Sequence, residues 1–264
     1  MSGCKVCIIG TGNMGGAFAE ALSKNQALDL YVYDSYAPCA KALAQGKNMT
    51  VLPSMDKATG FDVVIIAVKP QVLPSIWEDL AALKPGFFIS IAAGVTLEKL
   101  QTNLKTCKVV RFMPNIAAKI GAAVTAVAYS KDLNQQQKDC AMDIALAVGS
   151  AFELEENLFS AFIGISGSGI AYMLEFMHQL AMGGVREGIA YPKALSIVSD
   201  TMLSAAKLQK ATGKNAADLE AMVCSAKGTT IEGIKALDEA GFAAAVINAV
   251  SAAAKRSEEL EKKA

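Results

Sequence analysis

The sequence predicts an α/β chain: a doubly wound sheet in the N-terminal part, followed by an all-helical region. Three observations lead there. Over the first 154 residues, short apolar runs alternate with helical segments, the pattern of strands joined by crossover helices. From Glu155 onward, helix follows helix with no convincing strand. The first strand also runs straight into a glycine-rich turn that opens a helix, Val-Cys-Ile-Ile-Gly-Thr-Gly-Asn-Met-Gly from Val6 to Gly15. The predicted division therefore falls between residues 1–154 and residues 155–264.

Taken in order, the apolar run 6–9 is the first strand, and the alanine-rich segment 17–24 after the glycines is a helix. A second strand, 30–33, ends at Asp34; Pro38 then starts a helix over 38–45. A short strand at 50–52 precedes 62–68, Asp-Val-Val-Ile-Ile-Ala-Val, whose unbroken apolar character suits a central parallel strand. The helix 73–83 holds the single tryptophan, Trp77, and stops at Lys84-Pro85-Gly86. Strand 87–91, helix 97–104 and strand 108–112 follow, then strands 125–128 and 151–153 on either side of helix 134–148. The second region is read as helices 161–188, 192–211, 216–224, 229–240 and 241–263, with Pro192 at a helix-start position. Their apolar residues fall on several faces, which implies that more than one surface is buried, so this region is expected to dimerise. The tail 255–263 mixes both charge signs and reads as a solvated helix end.

Composition narrows the function classes. Hydrophobic residues make up 53% of the 264, enough for a substantial core. With 25 basic and 25 acidic residues and no block of like charge, neither nucleic acid nor an anionic membrane is an expected partner. No apolar run is expected to approach the roughly 18–20 residues of a membrane span. The Met1-Ser2-Gly3-Cys4 start shows no signal-peptide pattern, so a cytoplasmic location is expected. The six cysteines are scattered. Cys4-Lys5-Val6-Cys7 is formally C-x-x-C, but residues three apart on a strand point to opposite faces, so these read as buried or half-buried thiols. His178 is the only histidine and has no clustered ligands around it, so no metal site is expected. Ser166-Gly167-Ser168-Gly169 does not fit the G-x-S-x-G of a hydrolase elbow.

The glycine turn points to a dinucleotide. Gly10, Gly12 and Gly15 form G-x-G-x-x-G after a strand and at the opening of a helix, where unpaired amides and the positive helix end face a pyrophosphate. The loop lacks the Gly-Lys-Ser/Thr ending of a P-loop. Asp34 falls 19 positions after Gly15, close to the spacing of a ribose-binding acid, although Asp34-Ser35-Tyr36-Ala37-Pro38 also reads as a turn. A carboxylate there repels a 2′-phosphate and the nearest cation is Lys41, which leans the reading to NADH over NADPH; Ser35 can serve either cofactor. Lys69-Pro70 stands at the carboxyl end of a central strand, where Lys69 either meets the cofactor or is a solvated loop lysine. Ala92-Ala93-Gly94 is small enough for a flat ring to approach.

A second helix start lies at Gly228-Thr229-Thr230, after Cys224-Ser225-Ala226-Lys227. It suits a carboxylate, or is simply a capped turn between helices. With these segments in view, the chain resembles the Δ1-pyrroline-5-carboxylate reductase family nearly from end to end. The likeness is carried by 10–15, Ala67-Val68-Lys69-Pro70, Ser90-Ile91-Ala92-Ala93-Gly94-Val95-Thr96, Arg111 with Met113-Pro114-Asn115, Gly164-Ile165 with Ser166-Gly167-Ser168-Gly169, and 224–233. The resemblance implies a Rossmann domain and a helical domain interlocking two subunits, often assembled into decamers. It implies NAD(P)H-dependent reduction of a cyclic imine, 1-pyrroline-5-carboxylate, to L-proline. It also implies a cofactor site of Ile9, Gly10, Thr11, Gly12, Asn13, Met14, Gly15, Asp34, Ser35, Ala67, Val68, Lys69, Pro70, Ala92 and Ala93. The implied substrate residues are Ser225, Gly228, Thr229 and Thr230, with the Thr230 hydroxyl on the ring nitrogen as the catalytic contact and the amides of 228–230 on the carboxylate.

The chain departs from the family pattern at Ala226-Lys227 for Pro-Gly, at Ile170 for proline, at Ile116-Ala117 for Thr-Pro and at Met182 for aspartate. Two other functions share some of its features. A β-hydroxyacid dehydrogenase, or a related imine reductase acting on another substrate, also suits the glycine loop with Met14; such dehydrogenases use a helix lysine as acid, for which Lys193 and Lys207 lack the expected surroundings. A nucleotide-binding sensor or assembly protein would keep the loop without the reductase.

Overall fold

The computed structural model describes residues 3–262. The Met1-Ser2 start, the limits at 1 and 264, and the Lys263 end of the last predicted helix lie outside the described residues. Strands β1 (Lys5–Ile9), β2 (Asp29–Tyr33), β3 (Thr50–Val51), β4 (Val63–Ile66), β5 (Phe87–Ser90), β6 (Val109–Pro114), β7 (Ala123–Tyr129) and β8 (Gly149–Glu153) form one sheet. Their order is β3-β2-β1-β4-β5-β6-β7-β8. All neighbours are parallel except β6 and β7. Between the strands run α1 (Asn13–Leu22), α2 (Ala37–Ala44), α3 (Trp77–Leu83), α4 (Leu97–Leu104) and α5 (Gln135–Leu146).

β4 is apolar throughout, and β1 from Val6 onward, because both faces of these strands are covered. Val6 and Ile8 of β1 join Val63 and Ile65 of β4 in a core under α1, α2 and α5. Cys7, Ile9, Val64 and Ile66 point the other way, into a core with Leu80 and Leu83 of α3 and Leu100 and Leu104 of α4. Cys4 packs against the first core and Cys7 lies in the second, as the alternation of a strand requires. The strand order reverses at β1, which leaves a crevice at the carboxyl ends of β1 and β4.

Contacts divide the chain into one unit running to Gly167 and including the residues from Ala253 onward, and a second unit, Ser168–Ala252. The change of composition near Glu155 comes earlier, because the first helical turns after β8 still serve the sheet. Phe159 and Phe162 of α6 (Phe159–Phe162) are buried with Ala126 and Ala128 of β7. The helix predicted over 161–188 is interrupted by a π-helical turn at Ile163–Gly167 before α7 (Gly169–Arg186). Within that turn the Ser166 hydroxyl accepts a hydrogen bond from the Asn115 side-chain amide at 3.1 Å. By length and composition the stretch Glu156–Arg186 can span a membrane, as can the bent pair Thr229–Glu239 and Phe242–Glu261. This corrects the expectation that no apolar run is long enough: helix continues through the Gly164-to-Gly169 segment that would otherwise break the run.

The second unit holds α7, α8 (Tyr191–Thr212), α9 (Ala216–Val223), α10 (Thr229–Glu239) and the first turns of α11 (Phe242–Glu261). Among its described residues, the buried hydrophobics are Ala181, Ala194 and Leu219. Leu174, Ile197, Leu203 and Ile247 are exposed in the single chain. The last turns of α11 belong to the sheet unit: residues 255–262 are mostly exposed, as a solvated tail requires, but two of them are tied to the sheet unit. The Ser160 hydroxyl donates to the Ser257 hydroxyl at 3.1 Å, and Glu261 pairs with Arg111 of β6.

Candidate active site

The glycine loop is built so that side chains cannot enter it. Gly10 follows β1 with φ +99°, and its amide donates to the Tyr33 carbonyl at 2.8 Å. A Cβ at Gly10 would lie 2.8 Å from the Ala67 carbonyl, and one at Gly15 would lie 2.0 Å from the Gly10 carbonyl oxygen. Both positions therefore require glycine. Gly12 differs: a Cβ there meets no protein atom within 4 Å, so the space in front of it is open to a ligand. Gly12 brings no side-chain cap to α1, and the first turn of α1, starting at Asn13 and Met14, holds no acidic residue. Free amides and an uncompensated positive helix end are what a pyrophosphate needs.

Asp34, at the end of β2, is tied to this loop. Its Oδ2 accepts from the Thr11 amide at 2.7 Å and the Thr11 hydroxyl at 2.8 Å, and its Oδ1 accepts from the Tyr36 amide at 3.0 Å. Burial acts to raise the carboxyl, but the hydrogen bonds from Thr11 and Tyr36 outweigh it and hold Asp34 below the usual carboxylate range. Of the roughly four lone-pair sites of a carboxylate, one on Oδ1 remains for a ligand hydroxyl. Asp34 is thus a turn residue, as one reading had it, with room for a second task.

The remaining nucleotide candidates cluster by topology. Ile9 is buried at the end of β1, and its carbonyl accepts from the Ala67 amide at 2.8 Å. Ala67 and Val68 are half-buried just past β4, Lys69 is exposed, and Pro70 opens a 3-10 turn. Ala92 is buried and Ala93 exposed just past β5. Ser35 is exposed beside Asp34. All stand at the carboxyl ends of β1, β2, β4 and β5, and with the open cradle over Gly12 they fit a nicotinamide dinucleotide.

In the second unit, α10 starts at Thr229 with Gly228 as its N-cap and no side-chain cap. One expectation needs correction here. The Gly228 amide donates to the Ser225 carbonyl at 3.0 Å, closing the turn, so the donors left for an anion are those of Thr229 and Thr230. Ser225 is exposed, with its carbonyl engaged in that turn. Lys227 is exposed in a left-handed conformation, φ +58°, which costs a non-glycine residue energy. Thr230 lines an apolar groove of about 1290 Å³ with Gly183, Gly184, Leu180 and Leu237. Met182 and Lys193 are exposed, and neither lines that groove. His178 hydrogen-bonds the Tyr191 hydroxyl at 3.0 Å, and among the described residues no group of side chains can hold a metal ion.

Three arrangements escaped the sequence reading. The Thr11–Asp34 latch had a signal, a hydroxyl between the two glycines and an acid ending the next strand. Asn115 had the Met-Pro-Asn string; its Oδ1 accepts from the Ala117 and Val124 amides while its amide reaches Ser166. Arg111 is 1% exposed and pairs with Glu156 at 2.8 Å and with Glu261, with its guanidinium 4.8 Å from the Phe159 ring centre. Its partners lie 45 and 150 positions away, and nothing local announces them.

The reversed sheet, the glycine cradle and the second helix start define a nicotinamide-dinucleotide oxidoreductase of two units. The family model for pyrroline-5-carboxylate reductase dimerisation matches residues 156–260, and that for NADP oxidoreductase, coenzyme F420-dependent, matches residues 5–94. A pyrroline-5-carboxylate reductase of Methanosarcina acetivorans is 38% identical over 272 residues, covering 100% of each chain. That of Aquifex aeolicus is 35% identical over 97% of each. The solved structure of a pyrroline-5-carboxylate reductase from Coxiella burnetii superposes with a TM-score of 0.91 at 27% identity, covering 97% of each chain. The chain belongs to the pyrroline-5-carboxylate reductase family.

Proposed function

We propose that the protein reduces 1-pyrroline-5-carboxylate to L-proline with NADH or NADPH. The observation that carries this reading is the uncapped start of α10, where Thr229 and Thr230 stand on a chain whose full length matches reductases of that name. The dihydronicotinamide, when bound, supplies a hydride to the imine carbon, the ring carbon double-bonded to nitrogen that becomes C5 of proline. The chain's own residues have lighter tasks, because the imine nitrogen is readily protonated and no strong base is required. The amides of Thr229 and Thr230 hold the substrate carboxylate at the positive end of α10, and the Thr230 hydroxyl hydrogen-bonds the ring nitrogen. Each such charge-assisted contact contributes roughly 1.5–3 kcal/mol.

For the cofactor, the loop 10–15 holds the pyrophosphate and the free Oδ1 site of Asp34 takes a ribose 2′-hydroxyl, which favours NADH because a 2′-phosphate would face a carboxylate. The exposed apolar faces of the helical unit meet a second copy of the chain; a homodimer, assembled further into a decamer, in the cytoplasm completes the reading.

The test is direct. Purified protein is given 1-pyrroline-5-carboxylate or a 3-hydroxy acid with each nicotinamide cofactor. Proline formation is the expected result. Turnover of the hydroxy acid alone, or cofactor binding without turnover, overturns the proposal.

A further inference from the structure

At the opposite end of the strands from the glycine loop, two cysteines far apart in sequence meet. Cys4, just before β1, and Cys140, on α5, have their sulfurs 4.0 Å apart across 136 positions. Both are half-buried free thiols. They border a cavity of about 810 Å³, shared with Asp62, Gly86, Asn134 and Asp143, through which a small solute can reach them. The remaining four cysteines are placed differently. Cys7 is buried on the other face of the sheet, where burial pushes its thiol up to about 12, so it stays protonated. Cys39 and Cys107 are exposed, and Cys224 lies in the helical unit.

We infer that Cys4 and Cys140 form a dithiol site that oxidises reversibly to an intramolecular disulfide stapling the start of β1 to α5. A disulfide needs the sulfurs about 2.0 Å apart, and rotation about a cysteine Cα–Cβ bond can close the remaining gap. The two sulfurs share one hydrogen bond, and either can donate it. Whichever is the thiolate attacks, and the other resolves.

With a peroxide as oxidant, one sulfur of the pair attacks one oxygen, the O–O bond breaks, and a sulfenic acid and one water result. The other sulfur then attacks the sulfenyl sulfur, forms the S–S bond and expels the hydroxyl as a second water. Two thiols and one peroxide thus become one disulfide and two waters.

The experiment treats the full-length protein with graded hydrogen peroxide, blocks remaining thiols, and maps peptides by mass spectrometry. A Cys4–Cys140 cross-link that dithiothreitol reverses is expected, together with a rise in Tm of roughly 5 °C or more, since the closed loop is long. In Cys4→Ser or Cys140→Ser the thiol that remains should stop at a sulfenic acid that a 1,3-diketone traps. Both variants should retain basal activity. The inference is overturned if Cys39 and Cys107 are oxidised while Cys4 and Cys140 stay free, or if either of the two accumulates as sulfenic acid in the unsubstituted protein without cross-linking.

Discussion

Asp34 has a structural role in the glycine loop, and the proposed function adds a binding role to it. Two of its three hydrogen bonds hold Thr11, the residue between the first two glycines, against the end of β2, and the third closes the turn at Tyr36. Because its folded pKa lies below the ordinary 3.8, its stabilising contribution is complete above the unfolded value and is lost as pH falls through the lower folded value. The stability gap between the protein and Asp34→Asn should therefore be flat between about pH 5 and 7 and close in acid, as read by urea denaturation. Asp34→Ser removes the negative charge that the proposed function sets against the ribose and should shift the kcat/KM ratio toward NADPH by about tenfold or more. If the unsubstituted protein already prefers NADPH, Asp34 has no ribose role. Thr230→Ala should lower kcat/KM by about one to two powers of ten with Tm unchanged, and unaltered kinetics would remove Thr230 from the site. At Lys227 the backbone is left-handed, so Lys227→Gly should raise stability by roughly 0.5–1 kcal/mol in thermal unfolding.

Among the elements, α11 depends most on partners remote from it. Its last turns return to the sheet, where Glu261 meets the buried Arg111, and Arg111 also holds Glu156, whose carboxylate accepts from the Leu97 amide at 2.7 Å. Removing one partner leaves a buried charge short of compensation. Glu261→Ala should cost about 1–3 kcal/mol and loosen the end of α11, seen as faster amide exchange there; an unchanged Tm would show that the pair contributes nothing. These contacts could not be read from the mixed charges of 255–263, because a surface helix end and a docked one carry the same composition. The strands and their two-sided burial were legible, since unbroken apolar runs such as 63–66 have few other uses. The π-helical turn was not: its Ser166 is hydrogen-bonded by Asn115 from another element, a contact no local pattern announces.

At the scale of the whole molecule, the helical unit is short of interior. Few of its hydrophobic residues are buried within one chain, and Leu174, Ile197, Leu203 and Ile247 are exposed. Exposed apolar surface of this extent in a region matched by a dimerisation model implies a second copy over it. Light scattering at micromolar concentration should give a dimer or a larger multiple, and a stable monomer would contradict the reading.

The sequence alone determined the alternation of strands and helices, the glycine loop and the family. Each is written in local periodicity, or in spacings that steric rules make nearly compulsory. The tertiary structure alone decided how far the sheet's core extends past Glu155 and where the tail docks. It also decided that the Gly228 amide is spent inside its own turn, and that Cys4 faces Cys140 rather than Cys7. Those depend on which groups meet across long sequence separations, where hydrogen-bond satisfaction and burial act on positions that local pattern leaves independent.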